Sequence, residues 1–309
     1  MALPHEFLEL ARRVNNWGRW GERDEIGTLN LIDDQARRRG VACVLSGRAI
    51  SLALPLSERE GVQFGAVPGR TNPIRAMVAL NSPLSADPDG ACASDDAVFM
   101  GLQAATHWDA LAHVSWAGRI YNGHGASSIT GSGASRCGIG MVRTLASRGV
   151  LLDVARARGV DRLEGGYPIS AEDLGAAEEL ARTVVGPGDI VLVRTGQMEL
   201  IDPRDRLRYA APAPGLSTMT VPWFHDRDVA AVGVDTLVGE VYPYENPEVT
   251  LPVHMLHLVE MGMTQGQNFV LDELALACAE AGRYAFFLSA SPEPFTNGLG
   301  APVNPVAVM

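Results

Sequence analysis

Apolar and polar positions along this chain fall into patterns of two periods, with irregular stretches between them. Near the start, Phe7, Leu10, Ala11 and Val14 recur at helical spacing and predict an amphipathic helix. Ser170-Ala171-Glu172-Asp173 has the form of an N-cap with an acidic residue three positions on, opening a helix that runs to about residue 183. After the turn Gly186-Pro187-Gly188, residues 189–195 are apolar through their centre and predict a strand buried on both faces. Residues 229–234 have the same character, residues 253–261 and 271–281 have helical patterns, and residues 284–290 return to strand.

Two stretches carry neither period. Residues 67–93 are rich in Pro, Gly and Ser and are expected to form a long surface connection, and residues 202–222 a second loop-rich region. The alternation predicts a mixed α/β fold in a single domain over residues 1–309. A doubly wound nucleotide-binding sheet is not supported, because no GxGxxG follows an early strand and no GxxxxGK[ST] occurs.

Composition narrows the function classes. With 47% hydrophobic and 20% charged residues, the chain can bury a large core. A net charge of -11 without a basic stripe argues against nucleic acid as a partner. The longest apolar runs are too short to span a bilayer. The first residues lack the order of a signal peptide, so a cytoplasmic location is expected. The four cysteines are far apart, with no CxxC pair, and are expected to be reduced and mostly buried. His5 and His124 are expected at the surface.

The densest cluster of chemistry is Gln103-Ala104-Ala105-Thr106-His107-Trp108-Asp109-Ala110-Leu111-Ala112-His113. In an extended chain His107 and Asp109 project to one side, and Gln103 and His113 share their parity. In a helix, His107 and Asp109 would lie about 200° apart. Thr106 and Trp108 also suit a strand. An imidazole and a carboxylate on one rigid strand can hold Zn²⁺ or Mn²⁺, and a neighbouring histidine can carry a proton. A buried polar network without metal is the competing reading of these residues alone. Downstream, His254 and His257 lie at i,i+3 on a predicted helix, and Gln267 follows. His257 reads as a surface or core histidine. Asp235 and Glu240, after a predicted strand, are placed where they could reach the site, with hydrogen bonding to loop backbone the favoured reading.

The chain resembles the cyclase family of metal-dependent hydrolases, which includes bacterial kynurenine formamidases and isatin hydrolases. Against the family signature HxGTHxDxPxH, the segment from Gln103 matches at Thr106, His107, Asp109 and His113, and departs at Gln103, Ala105 and Leu111. Further likenesses lie in residues 16–21 and 27–30, in the GDIVLVRTG run of residues 188–196, in residues 231–236 and in residues 298–307. The resemblance implies a swivelling β/β/α fold with mixed sheets around a central cavity, in a homodimer or homotetramer. It implies metal ligands at His107, Asp109 and His254 and at the positions held by Gln103 and Gln267, with His113 as catalytic acid/base.

Glutamine at both Gln103 and Gln267 leaves Asp109 as the one carboxylate among the mapped positions. Two divalent ions would then repel each other with little compensation, so one Mn or Zn ion, or none, is expected. The expected activity is opening of an amide, cyclic amide or lactone bond in a small molecule. Trp108, Trp116, Trp223 and Phe224 are candidates to line an aromatic pocket, with His225 at its rim, against the alternative of core packing. Two other readings remain open: an enzyme on the same scaffold working without metal, and a non-catalytic small-molecule-binding member.

Overall fold

The structure is a computed structural model that describes residues 3–309. Its frame is a nine-stranded mixed sheet. In chain order the strands discussed are β1 (Ala49–Ser51), β2 (Ile74–Pro83), β3 (Cys92–Phe99), β4 (His107–Asp109), β5 (Ala146–Asp153), β6 (Ile190–Arg194), β7 (Ala231–Val234), β8 (Thr264–Gln267), β9 (Ala285–Ser289), β10 (Gly300–Pro302) and β11 (Val306–Val308). The order across the sheet is β1-β11-β9-β5-β6-β7-β8-β4-β10. Strands β5 to β8 are parallel neighbours, and antiparallel pairs extend the sheet on either side.

The continuous apolar run of β6 has a simple cause. Ile190 and Leu192 point into one core and Val191 and Val193 into the other, on opposite faces of the sheet. Both faces are covered, as expected for the parallel centre of a mixed sheet. The helix Ala171–Ala181 opens with the expected capping box, Ser170 and Asp173 each bonding the other's backbone. The N-terminal helix His5–Arg13 buries Phe7 and Ala11.

The predicted helix over residues 253–261 is real but unusual. One α-turn, Pro252–His254, runs into a π-helical segment, Met255–Met261. Such widened turns are rare and concentrate at functional sites. At its end, Gly262 takes a positive φ of 65° and receives the Thr28 amide at 2.9 Å. Gly27 meets it so closely that a Cβ there would lie 1.9 Å from the Gly262 carbonyl oxygen.

The structure departs from expectation over residues 67–93. This surface connection contains β2, which pairs with β3 as an antiparallel hairpin whose residues are nearly all exposed on both faces. With neither face buried, no period-two pattern marks it in the sequence. His5 is exposed as expected, whereas His124 is half-buried, with its carbonyl accepting the Ile120 amide. All four cysteines are free; Cys137 and Cys278 are buried, Cys43 is half-buried and Cys92 exposed. No helix among the described residues is long and apolar enough to cross a membrane.

Candidate active site

Strand β4 is three residues long, and its neighbours fix it. Gln267 of β8 pairs with His107, and Gly300 of β10 pairs with Asp109. Just before it, the Thr106 hydroxyl donates to the Asn268 carbonyl at 2.5 Å and accepts the Leu54 amide at 2.8 Å. Alternation then turns His107 and Asp109 to one side. Trp108 goes to the other, into the core, where its indole N–H donates to the Ala290 carbonyl and its ring meets Phe269 edge-on.

Three imidazoles face the Asp109 carboxylate. His107 Nε2 lies 3.5 Å and His113 Nε2 3.7 Å from Oδ1, and His254 Nε2 lies 3.8 Å from Oδ2. These separations are longer than hydrogen bonds. Asp109 Oδ1 is buried and has no hydrogen-bond partner among the described residues. Asp109 Oδ2 accepts the Gln267 amide N–H at 3.0 Å, and Gln267 Oε1 is also buried without a partner.

The other ring nitrogens of His107 and His254 are committed. His107 Nδ1 donates to the Ala105 carbonyl at 2.7 Å, since a carbonyl can only accept. His254 Nδ1 lies 2.5 Å from Glu240 Oε1. Both rings are thus held with Nε2 toward Asp109. Glu240 is itself buried and accepts the Val253 amide at 2.6 Å through Oε2. The expectation that Glu240 serves loop backbone captures half of its role.

Gln103 and His113 lie outside the strand, so chain turns rather than parity bring them near. Gln103 reaches across β10: a Cβ on Gly300 would lie 2.6 Å from its Nε2. His113, in a turn closed by its amide bonding the Ala110 carbonyl, has a side chain 20% exposed, against 6% or less for His107, His254 and Asp109.

Charge in this enclosed group is strongly coupled. Burial alone would raise the Asp109 carboxyl, but His113, His107 and His254 together hold it well below the usual carboxylate range. Burial pulls the His113 imidazole below its ordinary value, with Asp109 opposing and His254, Arg70 and His107 adding to the fall. Burial works against a charged His254 as well, but Glu240 and Asp109 outweigh it and raise that imidazole.

The remaining candidates lie elsewhere. Trp116 packs edge-on against Phe7 of the N-terminal helix. Trp223 and Phe224 pack against each other in the core, with Arg227 over Trp223. His225 lies beside Asp226. None of these, nor Trp108, joins the cluster, because each is taken up by packing or by a surface contact. His257 turns into the core, with Nδ1 3.0 Å from Gln265 Oε1 and its ring edge-on to Phe224. The widened helix swings it away from His254, so the two do not share a face.

The Putative cyclase family model matches residues 50–241, which include β4 and the Glu240 carboxylate. The chain belongs to this family. A solved structure described as a novel cyclase is 33% identical over 97% of this chain and 99% of its own, with a TM-score of 0.87. The cyclase-family fold is shared with more distant structures. An isatin hydrolase bound to the product analogue thioisatinate is 17% identical, with a TM-score of 0.64 over 90% of this chain and 99% of its own. A protein from Bacillus stearothermophilus described as a predicted metal-dependent hydrolase is 14% identical, with a TM-score of 0.53 over 84% and 97%. No curated protein matches the chain.

Proposed function

We propose that this cyclase-family chain is a hydrolase that opens an amide, cyclic amide or lactone bond in a small molecule, with His113 carrying the proton. The observation behind this reading is the convergence of three imidazole Nε2 atoms on one buried carboxylate, His113 being the most accessible of the three.

The donor set suits one divalent cation, Mn or Zn, held by His107, Asp109 and His254, with an oxygen of Gln103 or Gln267 in support. Asp109 Oδ1 and Gln267 Oε1 are buried acceptors with no partner, and the Nδ1 atoms of His107 and His254 are already used. Among the described residues, no group of three or more His, Cys, Asp or Glu side chains is close enough to form a finished cation cage. The nitrogens here stand 3.5–3.8 Å from the carboxylate oxygens, an open arrangement in which glutamine oxygens would serve as further ligands. Asp109 and Glu240 together carry two negative charges, enough to balance one divalent ion and not two. Such an ion, when bound, polarises a carbonyl and lowers the pKa of water.

The chain's own groups supply the rest. Burial favours neutral His113, so one of its ring nitrogens begins as an acceptor. As water adds to the substrate carbonyl carbon, His113 takes the water proton. It returns that proton to the leaving nitrogen or oxygen as the C–N or C–O bond breaks. Asp109 stays ionised and stabilises the imidazolium that forms in between. Assay of metal-supplemented protein with N-formyl aromatic amines, cyclic amides and small lactones tests the reading. Turnover on one of these classes, lost in His113→Asn, is expected; no turnover on any of them would refute it.

A further inference from the structure

A cavity of about 700 Å³ opens at the base of the β2–β3 hairpin, lined by Gln63, Arg70, Asn72 and Arg206 among others. The side chains of Gln63, Asn72 and Arg206 are already spent, whereas the Glu58 carboxylate and the exposed Arg59 guanidinium, which also line the cavity, have no side-chain partner among the described residues. The Asn72 amide both accepts from and donates to the Gln63 backbone, at 2.9 and 3.0 Å. Gln63 donates to the Ala104 carbonyl at 3.0 Å. Arg206 donates to the carbonyls of Gly61 and Arg59 at 2.6 and 2.8 Å.

Arg70 is different. Its side chain is half-buried, yet its guanidinium has no hydrogen-bond or carboxylate partner among the described residues. The other arginines lacking any such partner are exposed to water. An unpaired guanidinium that opens on a cavity keeps its N–H donors for an entering ligand. The adjoining Thr71 hydroxyl is likewise buried and unpartnered. Gly101 lets the arginine stem lie against the chain that leads to Gln103, since a Cβ there would be 3.1 Å from Arg70 Cγ. The Arg70 charge is felt at Asp109, His113 and His254 alike. Arg70 thus stands between the chain that leads to Gln103 and the open cavity.

We propose that Arg70 forms an anion-binding subsite at the mouth of the cluster, for a carboxylate of a small-molecule ligand. A guanidinium presents paired N–H donors that match a carboxylate in a two-point contact. Opening a lactone or cyclic amide generates such a carboxylate: the C–O or C–N bond breaks, water oxygen bonds to the carbonyl carbon, and the acid ionises. The location relative to His113 rests on the hydrolase reading, but the recognition itself does not need turnover.

Calorimetric titration of the full-length protein with benzoate and with benzamide, alike in shape and different in charge, tests the subsite. Benzoate is expected to bind at least tenfold more tightly than benzamide. Arg70→Gln should remove the difference and Arg70→Lys should keep part of it, while Arg182→Gln, exposed at the end of the helix Ala171–Ala181 and outside the cavity, should change nothing. Equal binding of the two probes by the unaltered protein would overturn the inference, and that comparison needs no variant to fold. So would undiminished benzoate affinity in folded Arg70→Gln, the result if a metal ion alone held the carboxylate. Charge-selective, Arg70-dependent binding in a protein that hydrolyses nothing would uphold the subsite and remove the hydrolase reading; hydrolysis without charge selectivity would do the reverse.

Discussion

Glu240 Oε1 lies 2.5 Å from His254 Nδ1, and both groups are buried. The carboxylate fixes the ring with Nε2 toward Asp109 and supplies the second negative charge of the cluster. Glu240→Gln keeps the size and removes the charge. Partners of this kind are worth about 10–100-fold in metal affinity. Competition with a chelator should show a loss of that order in Glu240→Gln. An unchanged affinity would mean that Glu240 serves only the Val253 amide.

His113 can be separated from the proposed metal ligands. His113→Asn should lower turnover by about 10²–10⁴-fold, the usual contribution of a positioned acid/base. Metal content, measured by plasma mass spectrometry on the same preparations, should be unaffected. Loss of metal in step with activity would make His113 a ligand instead.

Gly300 admits the Gln103 side chain beside Asp109. Gly300→Ala would set its Cβ 2.6 Å from Gln103 Nε2 and 2.9 Å from the Trp108 carbonyl oxygen. Overpacking of this kind costs about 1–3 kcal/mol. A lower melting temperature, together with a changed metal affinity, is expected. An unperturbed melting temperature would show that the strands yield freely at this point.

His257 makes stability depend on pH. Burial lowers its imidazole to about 3, with only the Gln265 contact opposing, and its Nε2 is buried without a partner. Above its unfolded value of about 6.5 the ring is neutral in both states and contributes no pH dependence. As pH falls below that, the unfolded chain takes up a proton that the folded chain refuses. Stability therefore drops by up to about 1.4 kcal/mol per pH unit, until the folded value is reached. Chemical denaturation of His257→Leu between pH 7 and 4 should show a shallower decline than the unaltered protein. Parallel declines would show that the folded state accommodates the charged ring.

The parts of this molecule that were legible in its sequence are those where one local rule decides. Ile190 to Arg194 are apolar without a break because both faces of the strand are covered, and Ser170 with Asp173 marks a helix start by its own hydrogen bonds. His107 and Asp109 share a face because a strand has period two. The rest depends on contacts remote in sequence. The hairpin formed by Ile74–Pro83 and Cys92–Phe99 buries neither face and so leaves no periodic trace. The widened turn of Met255–Met261 breaks the i,i+3 relation that would pair His254 with His257. Glu240, placed after a predicted strand where it could reach the site, meets His254 through a fold-dependent contact, and nothing in the spacing of Arg70 marks its unpaired guanidinium. The aromatic candidates fail for a complementary reason: Trp108 alternates away from His107, and Trp223 and Phe224 satisfy each other in the core.

One divalent ion held among His107, Asp109 and His254 would show in the metal stoichiometry of the purified protein. Protein loaded with Mn or Zn and then dialysed extensively should retain about one ion per chain, the number whose charge Asp109 and Glu240 balance, and Asp109→Asn should retain almost none. Retention of two ions per chain, or of none in the unaltered protein, would contradict it.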